Sequence, residues 1–512
     1  MFISIFNDVL GPVMRGPSSS HTAGSFRIGR ISRSLLNEKP EKAVFTFDPN
    51  GSYSQVYTQQ GADLAFAAGL MNWGITDDRF TSALKHAEKR GLNLKFQISF
   101  LEDRHPNAVR IELSSESGKE LKVDARSVGG GMIEVIRVGD WDVRIDGKSF
   151  DYLVESESGT DSRIDPFLSS LNAERISRQE KNNLIFCHYR GTAEWPEKVL
   201  EKLTCLKGVR RILDSHPVFF IKKGESLFED AGGMIRYADN EGITLGQAAL
   251  HYETRLLGLR ESAGLEEMIR RYRIMERSVA DGLLCRDIRM QLIPPSAHKI
   301  WKEEKDGNLP VGGWHTRAAA RAMAALHISN SMGIVCAAPT GGAAGVIPGL
   351  IVTLAEKFQL DSKQAALCLF AAGAVGLIIA KRATFAAETA GCQVEIGAAG
   401  AMGAAAVVEA SGGKPLEAAD ASAVSLQNTM GSVCDLVQGA CEIPCHTRNA
   451  AAASSAMVCA DLIRGGYENP ISLDETVDAA YAAGRMLPSE LRCTSKGGIA
   501  AAPSALKLSR KR

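Results

Sequence analysis

Gly391-Cys392-Gln393-Val394-Glu395-Ile396-Gly397 opens the stretch on which the reading of this chain turns. Cys434-Asp435-Leu436-Val437-Gln438-Gly439-Ala440-Cys441-Glu442-Ile443-Pro444-Cys445-His446-Thr447-Arg448-Asn449 closes it. Between the two ends runs an apolar segment rich in Ala and Gly. Small side chains let helix backbones approach closely, so this part of the chain is expected to be a helical core. Four of the eleven cysteines fall in the stretch. Thiolates gathered among tightly packed small residues suit a soft metal or an iron–sulfur group. A single free Cys is more simply a small buried hydrophobe. Several of them beside Arg448 and Asn449, which have few reasons to be buried, favour a site.

The same composition extends outward over 316–462, where Ala, Gly, Ser and Met dominate. Cys336-Ala337-Ala338-Pro339-Thr340-Gly341-Gly342-Ala343-Ala344-Gly345 interrupts it ahead of another helical run. A Gly-rich loop at a helix start can cradle an anion, but no nucleotide-binding loop pattern is present. Helix-period apolar spacing runs through 245–259 and 269–284. Loops are expected around Pro294-Pro295 and 309–314. The most continuous apolar run, Gln364 to Ala380, is shorter than the ~20 residues that span a bilayer. A buried core helix and no membrane partner are expected.

Upstream, residues 151–215 read as β-α-β-β-α-β, the order of a small ferredoxin-like module. It resembles the ACT domains that bind amino acids as regulators. Residues 1–150 read as mixed α/β, with short β-branched and aromatic runs at 43–47, 94–98 and 109–113. Arg15-Gly16-Pro17-Ser18-Ser19-Ser20-His21-Thr22-Ala23-Gly24-Ser25 breaks that pattern. Its hydroxyls lead into a helix over 26–36 and are placed to cap it. Backbone N–H groups at such a helix start also suit a substrate carboxylate. The fold class expected is therefore α+β and multidomain. A mixed α/β domain spans 1–150, the small ferredoxin-like (ACT-like) module 151–222, and a large, mainly helical domain 223–512.

Charge narrows the partners. The 512 residues carry 59 Lys plus Arg and 59 Asp plus Glu, so nothing electrostatic favours nucleic acid or an anionic membrane surface. Met1 to Val13 lacks a basic leader and contains Asp8, unlike a signal peptide. The cysteines are accordingly expected to be reduced thiols or metal ligands in a cytoplasmic protein.

Gly16-Pro17-Ser18-Ser19-Ser20-His21-Thr22, His105-Pro106-Asn107 and Gly129-Gly130-Gly131 resemble the β-subunit motifs of the iron–sulfur-dependent L-serine dehydratases (L-serine ammonia-lyases). Ala337-Ala338-Pro339-Thr340, Gly391-Cys392-Gln393, Cys434-Asp435, Pro444-Cys445, Arg448-Asn449-Ala450 and the late Gly497-Gly498 are similar to the α-subunit. The likeness covers nearly the whole chain and has the form of a β–α fusion.

What the resemblance implies is specific. A [4Fe–4S] cluster would be held by Cys392, Cys434 and Cys445, leaving one iron open as a Lewis acid. Water would be eliminated from L-serine, and the product aminoacrylate would become pyruvate and ammonia. His21 is the candidate base. Ser18, Ser19, Ser20 and Thr22 would bind the carboxylate and amino group, with Thr340, Arg448 and Asn449 completing the substrate site. An amino-acid effector at the ACT-like module and a homodimer are implied as well.

The chain departs from the family pattern in places. A Lys-Gly-His-Gly-Thr-Asp stretch is here Thr58-Gln59-Gln60-Gly61-Ala62-Asp63, and a late Arg-Glu-Thr is Arg492-Cys493-Thr494. Another β-substituted amino acid, such as cysteine, or a non-catalytic amino-acid-binding regulator are the alternatives these departures keep open. Cys441 and Cys493 are two further thiols close enough in the motifs to compete as ligands. Structural zinc would need tight Cys pairs, and no C-x₂-C occurs.

Overall fold

Alternation builds the sheets. In strand Ala108–Ser115 the residues Val109, Ile111 and Leu113 are buried, and in Glu120–Gly129 so are Leu121, Val123 and Ala125. One face of each strand therefore belongs to a core. The computed structural model describes residues 2–169, 171, 173–286 and 288–510. Two compact units result, one formed by Ser20–Lys223 and the other by Met1–Ser19 together with Gly224–Arg512.

The Ser20–Lys223 unit contains two sheets. Six strands lie in the order 93–98, 40–47, 108–115, 120–129, 132–138, 141–145, antiparallel except for the first pair. Helices Ser25–Leu36 and Ala62–Leu70 cover one face, and the stacked Phe45, Phe47, Tyr53 and Phe66 fill the space beneath them.

The second sheet is antiparallel, in the order 209–215, 150–157, 184–191, 174–181, with helices Asp161–Ser169 and Glu197–Thr204 in the connections. This is the strand order of a ferredoxin-like fold. Tyr152, Ile164, Leu168, Ile185 and Trp195 form its own core. Leu153 and Phe186, on alternate positions, join the core of the large sheet instead, and Phe186 stacks on Trp141 at 5.1 Å between ring centroids. The module is thus fused to its neighbour through a shared apolar layer.

The other unit is mostly helix. Helix Ile396–Ala410 is buried along nearly its whole length and packs against Val346–Phe358, Ser362–Arg382, Pro415–Gln427 and Cys445–Arg464. Close approach explains the glycines. A Cβ on Gly403 would lie 2.3 Å from Leu350 Cδ1. The apolar run at 364–380 lies within the longer helix Ser362–Arg382, which by length and composition alone is long enough to cross a bilayer. Most of that helix is buried inside the protein, as a core helix would be. A short helix Ala297–Lys305 stands between the two stretches expected to be loop.

The first residues belong to this helical unit and not to the sheets. Strand Val13–Arg15 pairs antiparallel with Ile334–Cys336. The buried Glu253 carboxylate accepts hydrogen bonds from Ser4 Oγ at 2.6 Å, Ile5 N at 2.7 Å and Phe6 N at 2.9 Å. Glu253→Leu would strand two buried amide donors, and a loss on the order of 3 kcal/mol follows. A lowered denaturation midpoint, with faster amide exchange at Ile5 and Phe6, is the expected measurement.

Candidate metal centre in the helical unit

Three local structures present the expected thiols. Gly391, at φ +74°, turns the chain so that Cys392 opens a single 3₁₀ turn. A Cβ at Gly391 would lie 2.6 Å from Ser432 O, which only glycine avoids. Cys434 sits in a two-residue strand with Asp435, and Cys445 is the first residue of helix Cys445–Arg464, directly after Pro444. All three are buried free thiols.

The ligand atoms of Cys392, Glu395 and Cys434 lie within 4.8 Å of one another. Cys441, Cys392 and Glu395 are the groups near enough to Cys445 to disfavour its thiolate. Neighbouring thiols and burial push both Cys434 and Cys445 far above the usual thiol range. Buried thiols that suppress one another's ionisation are the arrangement a metal reverses, since a metal takes thiolates and releases protons. The donor set is soft, with one carboxylate beside it, and fits iron–sulfide chemistry.

Arg448 anchors the opposite side. Its Nη1 lies 3.7 Å from Cys392 Sγ, donates to Val433 O at 2.6 Å and forms an ion pair with Asp435 at 2.9 Å. An N–H aimed at this sulfur would tune any cluster that the thiol held. The other Asp435 oxygen accepts from Ile499 N at 2.7 Å. A Cβ on Gly498 would fall 2.2 Å from that oxygen, which accounts for the glycine there.

The Gly-rich loop closes over the thiols. Thr340 donates to the Glu395 carboxylate, and a Cβ on Gly342 would meet the same carboxylate at 2.5 Å. Burial pushes the half-buried Glu395 up to about 7. Asn449 accepts from Gly345 N and donates to Gly342 O and Cys445 O, tying loop to helix. On the outer side of Gly341, Pro17 O and Ser19 N lie 3.2 Å from where a Cβ would stand. The helical unit therefore brings Ser18, Ser19, Thr340, Arg448 and Asn449 into one neighbourhood with Cys392 and Cys434.

Ser20, His21 and Thr22 belong to the other unit, where the chain continues through a wide turn Ser19–Gly24 into helix Ser25–Leu36. His21 Nε2 is 2.9 Å from Ser52 Oγ, and its ring meets Tyr53 edge-on at 5.3 Å. Burial lowers His21 to about 4, well below the value that made it attractive as a base near neutrality. Thr22 Oγ1 donates to Gln60 O at 2.9 Å, so the departing segment 58–63 lies against this turn. Glu395 was legible only as part of a motif, although its position three residues after Cys392 was a signal. Ser52 and Tyr53 gave none.

The sequence model described as serine dehydratase alpha chain matches residues 196–500, which is more than half of the chain. This chain belongs to the serine dehydratase family. It is 34% identical over 285 residues to the probable L-serine dehydratase α chain of Bacillus subtilis (strain 168), covering 56% of this chain and 95% of that one. The α chain of L-serine dehydratase from Peptoniphilus asaccharolyticus is 31% identical over 290 residues, covering 56% and 98%. A further match is to the probable L-serine dehydratase β chain of Bacillus subtilis (strain 168), 40% identical over 144 residues, covering 28% and 64%. One serine dehydratase polypeptide thus carries likeness to both chains of the two-chain relatives.

Proposed function

We propose that the protein is an L-serine ammonia-lyase that converts L-serine to pyruvate and ammonia with a [4Fe–4S] cluster held by Cys392, Cys434 and Cys445. The observation that carries the reading is the set of buried thiols beside Arg448, Thr340 and Glu395, in a chain of this family. When bound, such a cluster supplies an iron that draws electron density from the β-hydroxyl.

The chain's own groups would do the rest. His21, neutral because burial disfavours its cation, takes the Cα proton at a ring nitrogen. Ser18, Ser19, Ser20 and Thr22 hold the carboxylate and amino group. Thr340 and Asn449 fix the loop over the thiols, and Arg448 offers its guanidinium to the substrate side of Cys392. The Cβ–O bond breaks and the hydroxyl takes up a proton to leave as one water; the aminoacrylate tautomerises to the imine, which adds water to give pyruvate and ammonia.

The order of parts, β-like over 1–150, ACT-like over 151–222 and α-like over 223–512, is read as a fusion of the two chains. An amino-acid effector at the ferredoxin-like module, a homodimer and a cytoplasmic location belong to the same reading and are supported by the motif likeness.

Thr22 packed on Gln60, where the family pattern has a histidine, favours one second reading: elimination from another β-substituted amino acid such as L-cysteine. Both are tested by one assay. Protein purified anaerobically is expected to be brown and to release 2-oxo acid and ammonia from L-serine. Release from L-cysteine alone would select the second reading. A colourless, zinc-containing and inactive protein would overturn both.

A further inference from the structure

We infer that Asn330 and Glu442 are positioning residues of the candidate metal centre, holding the turn that presents Cys445 before any cluster arrives. The inference rests on the reading of Cys392, Cys434 and Cys445 as cluster ligands.

The turn needs such help. Cys445 opens helix Cys445–Arg464 directly after Pro444, which has no N–H to give to a turn. Bonds from Val437 N to Ile443 O and from His446 N to Glu442 O close the turn locally. Its place in the helical unit is set by side chains.

Asn330 is the last residue of helix Trp314–Asn330, and its Nδ2 donates to Cys441 O at 2.8 Å and to His446 Nε2 at 2.8 Å. A carbonyl oxygen only accepts, so the atom facing Cys441 O is the amide nitrogen and the orientation of the amide is fixed. His446 Nε2 is therefore an acceptor, and that network assigns the imidazole proton to Nδ1. One side chain grips the polypeptide on both sides of Cys445.

Glu442 makes the second hold. Its buried carboxylate accepts from three consecutive backbone amides, Gln291 N, Leu292 N at 2.9 Å and Ile293 N at 3.1 Å. Hydrogen bonds to a charged acceptor are roughly twice as strong as neutral ones. Leu292 packs with Val437 and Ala440, so the same segment also meets the turn through an apolar contact. The segment is moored in turn, because Arg289 N donates to Ser331 Oγ at 2.8 Å, next to Asn330. Helix end, segment and turn thus close a ring of contacts within one unit.

Such a ring does what the thiols cannot do for themselves. Without metal, the buried thiols disfavour one another's ionisation and gain nothing by approaching. A turn held from outside needs no ordering when the metal binds, which is how groups behind a ligand raise metal affinity.

The test uses the full chain, reconstituted anaerobically, as wild type, Asn330→Asp, Glu442→Gln and Thr353→Val. The first two substitutions keep the shape of the side chain and remove its donors or its charge. Thr353→Val removes a buried hydroxyl bonded to Arg321 elsewhere in the unit and serves as the control for plain destabilisation. Iron retained per folded chain is read against a chelator, with visible absorbance, beside the melting temperature of the metal-free proteins. Asn330→Asp and Glu442→Gln are expected to hold iron about 10- to 100-fold less well. Thr353→Val is expected to melt lower and retain iron like wild type. Retention that tracks melting temperature across all three variants would overturn the assignment and leave the cluster reading intact. Metal-free wild type supplies a measurement that no folding failure can spoil: slow amide exchange at Leu292 and Ile293 is expected, and free exchange there would also overturn the assignment. Wild type that takes up no iron and sulfide would overturn both.

Discussion

Cys392→Ala is expected to yield a colourless protein that releases no ammonia from L-serine. Cys392 is the thiol at which the site converges: its sulfur lies with Cys434 and Glu395 and faces the Arg448 guanidinium. Removing it leaves only Cys434 and Cys445 of the three proposed ligands, too few thiolates to hold the cluster proposed above. The fold should survive, because Ala fits a buried small-residue position and a truncation of this size costs about 1 kcal/mol. Visible absorbance, iron content and circular dichroism measured together separate loss of the site from loss of structure. Cys459→Ala is the control. It is equally buried but faces Ser455 and Asn428, and it is expected to keep colour and activity. Activity retained by Cys392→Ala would remove the proposed chemistry.

His21→Ala is expected to lower kcat about 10²–10⁴-fold while colour and iron content stay at wild-type levels. The pH dependence carries the more specific expectation. The ring is a base only when neutral, and burial lowers its pKa from 6.5 to about 4. Neutral imidazole therefore persists as pH falls through 6.5 and is lost only near 4. The acid limb due to His21 should appear near pH 4, and it should vanish from whatever activity His21→Ala retains. The linkage has the same sign. Because the folded-state value is depressed, the contribution of His21 to stability is full above pH 6.5 and is lost as pH falls toward 4. A limb near 6.5 that disappears in His21→Ala would show a solvated histidine and contradict the buried setting beside Ser52 and Tyr53.

Much of this architecture was readable from residue order, for physical reasons. The β-α-β-β-α-β run at 151–215 was legible because each element is short and bounded by turn residues. The helical unit was legible because Ala and Gly at close spacing permit little else. Cys392, Cys434 and Cys445 stood out through their motifs, and Arg448 and Asn449 through their odd company, and the structure buries all three thiols.

What escaped depended on contacts distant in sequence. Strand Val13–Arg15 is three residues long, and its partner Ile334–Cys336 lies more than three hundred residues away. No local pattern announces that the first nineteen residues leave the sheet unit. Leu153 and Phe186 alternate normally within their strands, yet their face is covered by the neighbouring sheet, so the small module has no apolar face of its own to spare. Cys493 stands at a bulge between Arg492 and Thr494, which exists only once two strands have paired. Helix Ala297–Lys305 was hidden by its polar composition after Pro294-Pro295.

The placement of Met1–Ser19 has a consequence for how such a chain can be divided. The polypeptide passes between units after Ser19 and again after Lys223, so a cut at the second passage does not give two self-sufficient halves. The leading fragment would carry a peptide whose hydrogen-bonding partners, Glu253 and the edge at Ile334–Cys336, remain in the other fragment. The two pieces would behave as a split protein that reassembles by strand donation. Fusion into one polypeptide turns that bimolecular docking into an intramolecular one.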